Sequence, residues 1–256
     1  MHTQPMKVLV VAGGTREPID DVRVITNKST GRFGGAIADA LKDAGTEVHL
    51  LASKLMVRIY QPNHHVQTFD SFEDLQQNIA RLAVELKPDI VFMSAAVSDF
   101  SPVRTSGKIR SDAEELQLTL RRNPKLLASF REQFGIKTFL VGFKLLSGVT
   151  SEVLHDTAFT QVHDNHLNLT VANDLKAITE KEHPIMMVTP EDGAIPVSGS
   201  PKEVAQTLAT FVLRRFRVQW HRSVSSDPII LLEQSIEQKN SVDTLLQFAQ
   251  SAQLLP

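Results

Sequence analysis

The sequence predicts a doubly wound α/β fold with a mainly parallel sheet and a helical extension at its C-terminal end. Short apolar runs alternate with amphipathic helical segments up to Met93, which is the strand–helix–strand order of parallel sheets. The runs are continuous rather than alternating, as in strands that are buried on both faces. The first run, KVLVVA, stops at the glycine pair Gly13 and Gly14.

Each predicted element rests on its own local pattern. Residues 34–44 place apolar side chains at helical spacing and end at Gly45, a residue type that commonly terminates helices. Residues 71–86 predict a second amphipathic helix, in which Ser71 and Asp74 suit the first turn. The predicted strands are 7–12, 47–51, 89–93, 137–141 and 169–172, with an edge strand over 184–188 and a closing helix over 202–217.

The chain after Trp220 differs in composition from the part before it. Residues 221–228 (HRSVSSDP) predict a linker, and residues 229–255 are rich in Gln, Ser and Leu. Because leucine and isoleucine recur there at near-helical spacing, we expect one or two further amphipathic helices. The predicted organisation is therefore one ligand-binding domain over residues 1–220, followed by a linker and helical tail over residues 221–256.

Composition and charge exclude several classes of protein. The 256 residues carry a net charge of −2, so no global field favours nucleic acid or an acidic membrane surface. The chain has no cysteine, which excludes disulfides and thiolate metal sites. The N-terminus lacks a signal-peptide pattern, and no apolar stretch approaches the roughly 20 residues of a membrane helix. We therefore expect a cytoplasmic protein.

A long polar loop follows the first predicted strand. Residues 13–34 separate that strand from the first helix, and long structured loops at strand ends are usually functional. Its glycines allow the backbone to approach a phosphate, and the amides before the helix can bind an anion. The alternative is a solvated loop that merely caps the helix. For Arg16, Asp20 and Arg23 we expect ion pairs that brace the loop rather than direct ligand contact.

Two more polar segments follow the third predicted strand. In residues 93–100 (MSAAVSDF) the alanine pair leaves room for a flat group, and Asp99 is a candidate acceptor for hydroxyls or a metal ligand. Residues 101–111 form a loop with Arg104, Lys108 and Arg110, which suits a triphosphate whose charge grows in the transition state. The alternatives are a turn-capping aspartate and a solvated charged loop.

Six motifs in order resemble the phosphopantothenate–cysteine ligase family. GGTREPIDDVRVITNKSTGRFG is similar to the family signature, a Gly-Thr-Arg-Glu-Pro-like run followed by Asn and Ser-Ser/Thr-Gly-Lys/Arg-x-Gly. SAAVSDF resembles its Ala-Ala-Val-x-Asp-Tyr segment and GKIR its Lys-rich flap. NPKLL, VGFKLL and VAND resemble its Asn-Pro, Gly-Phe and Ala-Asn-Asp segments. The similarity covers residues 7 to about 215, and it suggests the stand-alone bacterial type.

The resemblance implies a modified Rossmann-like fold and a homodimer. The implied reaction is a two-step amide synthesis in coenzyme A biosynthesis, with CTP as the favoured nucleotide, ATP as its alternative, and Mg²⁺ accompanying the triphosphate. The implied catalytic residues are Asn27, which would bind the carboxylate or acyl-nucleotide, and Lys108, which would neutralise charge as pyrophosphate leaves. No metal site built by the protein alone is expected, with Asp99 as the one candidate ligand.

The resemblance also implies two sets of binding residues. The substrate pocket would be lined by Asn27, Ala95, Ala96 and Asp99. The nucleotide would be bound by Gly14, Ser29, Gly31, Gly34, Asp99, Lys108, Asn123, Pro124, Phe143 and Asn173. Without the resemblance, Phe143 is a core residue and Asn173 a turn residue. The residues that bind cysteine are not indicated.

One segment departs from the family pattern. Bacterial relatives carry basic residues on the helix after the Gly-Phe segment, whereas residues 156–168 (DTAFTQVHDNHLN) contain no Lys or Arg. His155, His163 and His166 are candidate substitutes, but neutral imidazole replaces a fixed positive charge poorly. A non-catalytic nucleotide-binding paralogue is therefore an alternative function.

A nicotinamide-dependent reductase is a weaker alternative. The run VAGGT before a helix suits dinucleotide binding, but no Gly-x-Gly-x-x-Gly follows at Gly13. Residues 51–53 supply no acid for a ribose at the second strand end. The single tyrosine, Tyr60, has His64 rather than Lys four residues later, so a Tyr-x-x-x-Lys pair is missing.

Overall fold

The computed structural model describes residues 5–61, 65–112, 114–191 and 193–224. The chain divides into two compact units, which we call unit 1 (residues 1–38 and 46–140) and unit 2 (residues 39–45 and 141–256).

Unit 1 contains the strands and helices of the N-terminal half of the chain. Its strands are β1 (Lys7–Ala12), β2 (Arg16–Pro18), β3 (Val24–Thr26), β4 (Glu47–Ser53), β5 (His65–Phe69), β6 (Ile90–Met93), β7 (Phe100–Pro102) and β8 (Leu120–Arg122). Its helices are α1 (Arg32–Asp43), whose last residues belong to unit 2, α2 (Lys54–Tyr60), α3 (Phe72–Glu85) and α4 (Phe130–Phe134), the last preceded by a 3₁₀ turn over Leu126–Ser129.

Four parallel strands form the core of unit 1. β1 lies between β4 and β6, and β5 pairs with the other side of β4. Val8, in β1, lies opposite Val48 on one side and Ile90 on the other. All five residues 8–12 are fully buried, which explains why this strand is continuously apolar.

Helix caps in unit 1 agree with the sequence pattern. Ser71 is the N-cap of α3 and its hydroxyl accepts from the amide of Asp74 at 3.3 Å, as the predicted first turn requires. Buried Leu75, Ile79 and Leu82 follow one another at helical spacing on the inner face of this helix. The two helices predicted for this part of the chain are confirmed.

Unit 2 has a different pattern of strand pairing. Its elements are β9 (Phe139–Leu146), whose first two residues belong to unit 1, α5 (Ser151–Asp164), β10 (Leu169–Asp174), β11 (Ile185–Thr189), β12 (Gly193–Val197) and α6 (Pro201–Val224). β9 and β10 are parallel, whereas β10–β11 and β11–β12 are antiparallel. The main sheet has eight strands, most of them parallel, so the predicted Rossmann-like α/β class is confirmed.

Several described elements were not predicted from local pattern, among them α2, β5 and β12. α2 has only seven residues, and most of the β5 side chains are partly or fully exposed. β12 contains Gly193 and Pro196, residue types that are typical of loops, so its sequence does not predict a strand. Proline is nevertheless tolerated in a strand at a sheet edge. Because β12 covers the outer side of β11, the prediction that residues 184–188 form an edge strand is wrong.

The last helix is longer than its pattern predicts. α6 runs to Val224, so residues 221–224 of the predicted linker are helical. The rest of the linker and the predicted helical tail, residues 225–256, lie outside the described residues, and the division at residue 220 stays a prediction. Among the described helices, none combines the length and apolar character that crossing a bilayer requires.

Candidate active site

The loops after β1 and β6 are bonded to each other beyond the ends of their strands. The amide of Ala96 donates to Gly13 O at 2.8 Å, and the amide of Thr15 donates to Ala96 O at 3.2 Å. These bonds form an isolated parallel bridge between Gly14 and Ala96. The two loops therefore continue the parallel pairing at the carboxyl edge, where ligands bind in open α/β sheets.

The segment after β3 contacts these two loops through Asn27. Asn27 follows β3 directly, and its Nδ2 donates to Ala96 O at 3.0 Å. The neighbouring Thr26 hydroxyl donates to Thr15 O at 2.8 Å, which holds the start of the same segment. Asn27 is half-buried, and its Oδ1 accepts no hydrogen bond from the described part of the chain. The side chain is thus fixed in orientation with one polar atom available for a ligand.

Two glycines let helix α1 begin close to this edge. Gly31 has φ of 74°, and a Cβ there would lie 2.5 Å from the sulfur of Met56. A Cβ at Gly34 would lie 2.5 Å from both the Cβ of Ala12 and the Oγ of Ser94. Both positions therefore have a packing reason for glycine that is independent of any phosphate contact.

The start of α1 is suited to a negatively charged ligand. The first turn contains no acidic residue, so the positive end of the helix dipole is not neutralised there. Half-buried Ser29 precedes the helix, and its Cβ would lie 3.7 Å from a Cβ built on Gly14. Predicted Gly14, Ser29, Gly31 and Gly34 thus lie in one short segment of unit 1, but contact with phosphate stays a prediction.

The segment after Ala95 and Ala96 is held by Asn123. Its side-chain amide donates to Ser98 O and to the hydroxyl of Ser101, each at 2.8 Å, and its main-chain amide donates to Asp99 O at 2.8 Å. Both amide hydrogens of Asn123 therefore bind within the protein. This places exposed Pro124 beside the same segment, while nucleoside contact by either residue stays a prediction.

Asp99 is exposed and lies in an ion pair. Its Oδ1 is 2.5 Å from the Nζ of Lys125, the residue after Pro124. The described residues contain no group of three or more His, Asp or Glu side chains arranged to hold a metal ion. An Mg²⁺ ion in this region would thus need oxygen ligands from a triphosphate or water in addition to Asp99.

A buried polar network behind the loops was not predicted residue by residue. The hydroxyl of Thr15 accepts from the amide of Ser98 at 3.0 Å, and the Ser101 hydroxyl donates to Glu17 at 2.7 Å. The other carboxylate oxygen of Glu17 accepts from the amide of Phe72 at 3.0 Å. Thr15 and Glu17 belong to the Gly-Thr-Arg-Glu run, which supplied the only sequence signal for them.

The ion pairs predicted to brace the long loop are confirmed. Asp20 is buried and its carboxylate lies 3.2 Å from the guanidinium of Arg23. Arg16 instead pairs with Asp70 at 3.5 Å, and Lys54 approaches the same carboxylate at 3.6 Å. Burial alone would raise the pKa of Asp20, but hydrogen bonds from three main-chain amides and the charge of Arg23 together lower it.

The Lys108 loop is attached to the β2–β3 hairpin. The amide of Thr105 donates to Ile19 O at 2.9 Å, and the amide of Asp21 donates to Gly107 O at 3.1 Å. Lys108 itself is exposed. The predicted basic loop is therefore held through its main chain, while the Lys108 side chain remains at the surface.

The remaining predicted residues lie in unit 2. Phe143, in β9, is half-buried and lies opposite Val171, while Asn173, in β10, is buried and lies opposite Leu145 on the same face. The Nδ2 of Asn173 is 3.2 Å from the Nε2 of His183. Burial lowers the pKa of His183 to about 4, so its neutral ring accepts this bond at neutral pH.

Helix α5 carries an aromatic row in the segment that departs from the family pattern. The rings of His155 and Phe159 are 5.9 Å apart, and those of Phe159 and His163 are 4.3 Å apart. These three residues share one face of the helix, and Phe159 is exposed. The structure thus places no Lys or Arg on α5 to bind a triphosphate.

Comparison with known proteins identifies the family. Residues 3–215 match the family described as the DNA/pantothenate metabolism flavoprotein C-terminal domain. The chain belongs to this family.

One curated relative in this family is the coenzyme A biosynthesis bifunctional protein CoaBC of Thermococcus kodakarensis. It is 37% identical over 184 residues, which cover 71% of this chain and 44% of the relative. The CoaBC protein of Methanocaldococcus jannaschii is 34% identical over 206 residues, which cover 79% of this chain and 49% of that relative. The chain thus spans slightly less than half of the length of these two curated relatives. The resemblance seen in the motifs is confirmed at the level of the family.

Comparison with solved structures confirms the fold. The DNA/pantothenate metabolism flavoprotein from Streptococcus pneumoniae has a TM-score of 0.74 and 30% identity, covering 81% of this chain and 98% of that one. The Cab2 mutant H337A in complex with phosphopantothenate-cysteine has a TM-score of 0.72 at 19% identity, covering 86% and 89%. At that identity the second likeness concerns the fold alone.

Proposed function

We propose that this chain joins 4′-phosphopantothenate to L-cysteine in coenzyme A biosynthesis, using a nucleoside triphosphate and an acyl-nucleotide intermediate. The observation that carries the proposal is the Asn27 amide, which is fixed to Ala96 O at 3.0 Å where two parallel strands end. Family membership and the CoaBC relatives support the same pathway.

The first step activates the carboxylate of phosphopantothenate. A carboxylate oxygen attacks the α-phosphorus, the bond from that phosphorus to the bridging oxygen breaks, and pyrophosphate leaves. Activation is needed because an amine cannot displace oxide from a carboxylate at a useful rate. In the proposed role, Asn27 orients the carboxylate, and Lys108 neutralises the growing charge on the departing pyrophosphate.

The second step forms the amide. The cysteine amine attacks the acyl carbon, the bond from that carbon to the phosphate oxygen breaks, and the nucleoside monophosphate leaves while the nitrogen loses a proton. Asn27 keeps its role here, because the acyl group stays at the position of the original carboxylate. No covalent enzyme intermediate is involved, which is consistent with a chain that has no cysteine.

We propose CTP as the nucleotide, with ATP as the alternative, and Mg²⁺ bound with the triphosphate. In unit 2, Phe143 and Asn173 are the proposed nucleoside contacts, and the His183 contact fixes the orientation of the Asn173 amide. The absence of an acidic residue in the first turn of α1 supports a phosphate position at that helix.

We propose a homodimer formed through the β7–β8 hairpin. A two-stranded sheet is only marginally stable by itself, and its edges favour pairing with another strand. The large apolar side chains exposed in this region are Phe100, Val103, Leu116, Leu118 and Leu120. A second copy of the chain would cover this apolar surface, and light scattering of a Leu118→Lys variant should then report a monomer.

A non-catalytic nucleotide-binding paralogue is the second candidate. The observation that favours it is the His155–Phe159–His163 row on α5, a helix without Lys or Arg, where the family resemblance implies basic residues. Such a protein would bind nucleotide without releasing pyrophosphate.

The deciding experiment is an assay with Mg²⁺, phosphopantothenate and cysteine, run separately with CTP and ATP. Pyrophosphate is followed continuously, and phosphopantothenoylcysteine is detected by mass. Product with either nucleotide supports the ligase and reports the base preference. Nucleotide binding by folded protein without pyrophosphate or product would replace the ligase with the paralogue.

A further inference from the structure

The buried carboxylate of Asp20 accepts hydrogen bonds from two different segments of unit 1. Its Oδ1 accepts from the amides of Val22 and Arg23, at 2.8 and 2.7 Å, and thereby closes the turn between β2 and β3. Its Oδ2 accepts from the amide of Ile109 at 3.0 Å, and Ile109 belongs to the Lys108 loop. One side chain therefore holds both the hairpin turn and the loop.

Arg23 strengthens the same connection. Its Nη1 lies 3.2 Å from Asp20 Oδ2, and its Nη2 donates to Ile109 O at 3.1 Å. Both main-chain polar groups of Ile109 are thus bonded to the Asp20–Arg23 pair. Because the Asp20 side chain is fully buried, water does not compete for these bonds as it does at the surface.

The residue on the other side of Lys108 is also bonded to the turn. Gly107 O accepts from the Asp21 amide, and the Gly107 amide donates to the exposed carboxylate of Asp21, each at 3.1 Å. Lys108 therefore lies between two anchored residues, although its own side chain is exposed. Its main chain is fixed relative to the hairpin whose second strand leads directly into Asn27.

We propose that Asp20 is a positioning residue that sets the location of Lys108 relative to the Asn27 segment. Asp20 acts through the Ile109 amide and the Arg23 guanidinium, and it does not contact a substrate. The catalytic part of this inference rests on the proposed ligase function, whereas the structural part, attachment of the loop, does not.

Asp20→Asn separates the two tasks of the carboxylate. The amide oxygen can keep the bonds from Val22 and Arg23, which close the turn. The new NH₂ group then faces the Ile109 amide and the Arg23 guanidinium. All three groups are hydrogen-bond donors, so no hydrogen bond can form between them. The hairpin turn is retained and the bond to the loop is lost.

The structural part is tested by limited trypsin digestion followed by mass analysis. Asp20→Asn should increase cleavage after Arg104, Lys108 and Arg110 by about tenfold, as expected for the loss of roughly 1.4 kcal/mol of local stability. The matched control is Asp112→Asn, which removes an exposed partner of Arg110 in the same loop without touching the hairpin. Cleavage at the wild-type rate in folded Asp20→Asn overturns the attachment.

The catalytic part is tested with a double-mutant cycle. If Asp20 acts through Lys108, Asp20→Asn lowers kcat for pyrophosphate release with little change in KM for phosphopantothenate. Combining it with Lys108→Gln should then cost no more than Lys108→Gln alone. Fully additive losses overturn the positioning role.

A replacement variant and the wild-type assay cover the cases in which Asp20→Asn does not fold or the protein has no ligase activity. Should Asp20→Asn not fold, Ile109→Pro removes the same hydrogen bond from the loop side, and the digestion is repeated on it. A wild-type protein without ligase activity overturns the proposed function and the catalytic part together. The digestion still decides whether Asp20 holds the loop.

Discussion

The side-chain amide of Asn27 donates to the main-chain carbonyl oxygen of Ala96 over 3.0 Å. This bond connects the segment after β3 to the segment after β6, which are far apart in sequence. The orientation of Asn27 therefore depends on the carbonyl of the alanine pair, which the motifs alone did not connect to it.

Asn27→Asp should abolish ligation while the fold remains intact. The aspartate would face Ala96 O without a hydrogen to donate, and its charge would repel the substrate carboxylate. We expect product formation to fall by at least a hundredfold, on the order of 3 kcal/mol in the barrier. Steady-state assays with mass detection measure this, and exposed Thr30→Ala serves as a neighbouring control. Near-normal turnover by folded protein would remove Asn27 from the mechanism.

Lys108→Gln should reduce the rate without unfolding the protein, because the exposed side chain contributes little to the core. Loss of one charge contact in the transition state is worth about 3 kcal/mol, or about a hundredfold in kcat. Pyrophosphate release is measured beside urea unfolding, with exposed Lys28→Gln as the matched control. A Lys108 variant within twofold of wild type contradicts the role.

His183 should make stability depend on pH in the acidic range. Burial lowers its pKa from 6.5 to about 4, so between these values the unfolded state binds more protons than the folded state. The contribution is complete above pH 6.5 and decreases as the pH falls toward 4, by about 3 kcal/mol in total.

Urea unfolding of wild type and His183→Gln from pH 4 to pH 8 checks this expectation. Glutamine offers an acceptor to Asn173 but does not titrate, so the slope between pH 6.5 and 4 should become smaller in the variant. Equal slopes in the two proteins would show that His183 is not the group responsible.

Gly34→Ala should destabilise unit 1 through a steric clash. The added methyl group would lie 2.5 Å from the Cβ of Ala12 and from the Oγ of Ser94, so α1 must move away from β1. Overpacking of this kind typically costs about 1–3 kcal/mol. Thermal unfolding measures the change, and an unchanged Tm would mean that the helix start shifts without cost.

Much of the fold followed from continuous apolar runs and helical periodicity. β1 and β6 were predictable because nearly all of their residues are apolar and buried, and β4 because it contains the buried apolar run Leu50–Ala52. β5 and β12 were not, because exposed or edge strands tolerate His, Gln and Pro, and such segments resemble loops.

The site was predictable as a set of segments, but its bonds were not. Motifs indicated Asn27, the alanine pair and Asn123, yet none indicated that both amide hydrogens of Asn123 bind inside the protein. The sequence also did not predict that Asp20 binds both the hairpin turn and the Lys108 loop, because its partner Ile109 is distant in sequence. Contacts between remote loops depend on the tertiary fold and leave no local pattern.

Asp70 is flanked by two cations, Arg16 at 3.5 Å and Lys54 at 3.6 Å, near the carboxyl ends of β4 and β5. The main-chain amide of Asp70 also donates to a carboxylate oxygen of Asp74 at 2.8 Å, so two carboxylates lie near two cations. Mobile ions screen such partly exposed pairs over about one Debye length, roughly 10 Å at 0.1 M salt. The contacts that join the segment after β1 to the end of β5 would therefore weaken as salt is added, whereas the bonds to the buried carboxylate of Asp20 would change less.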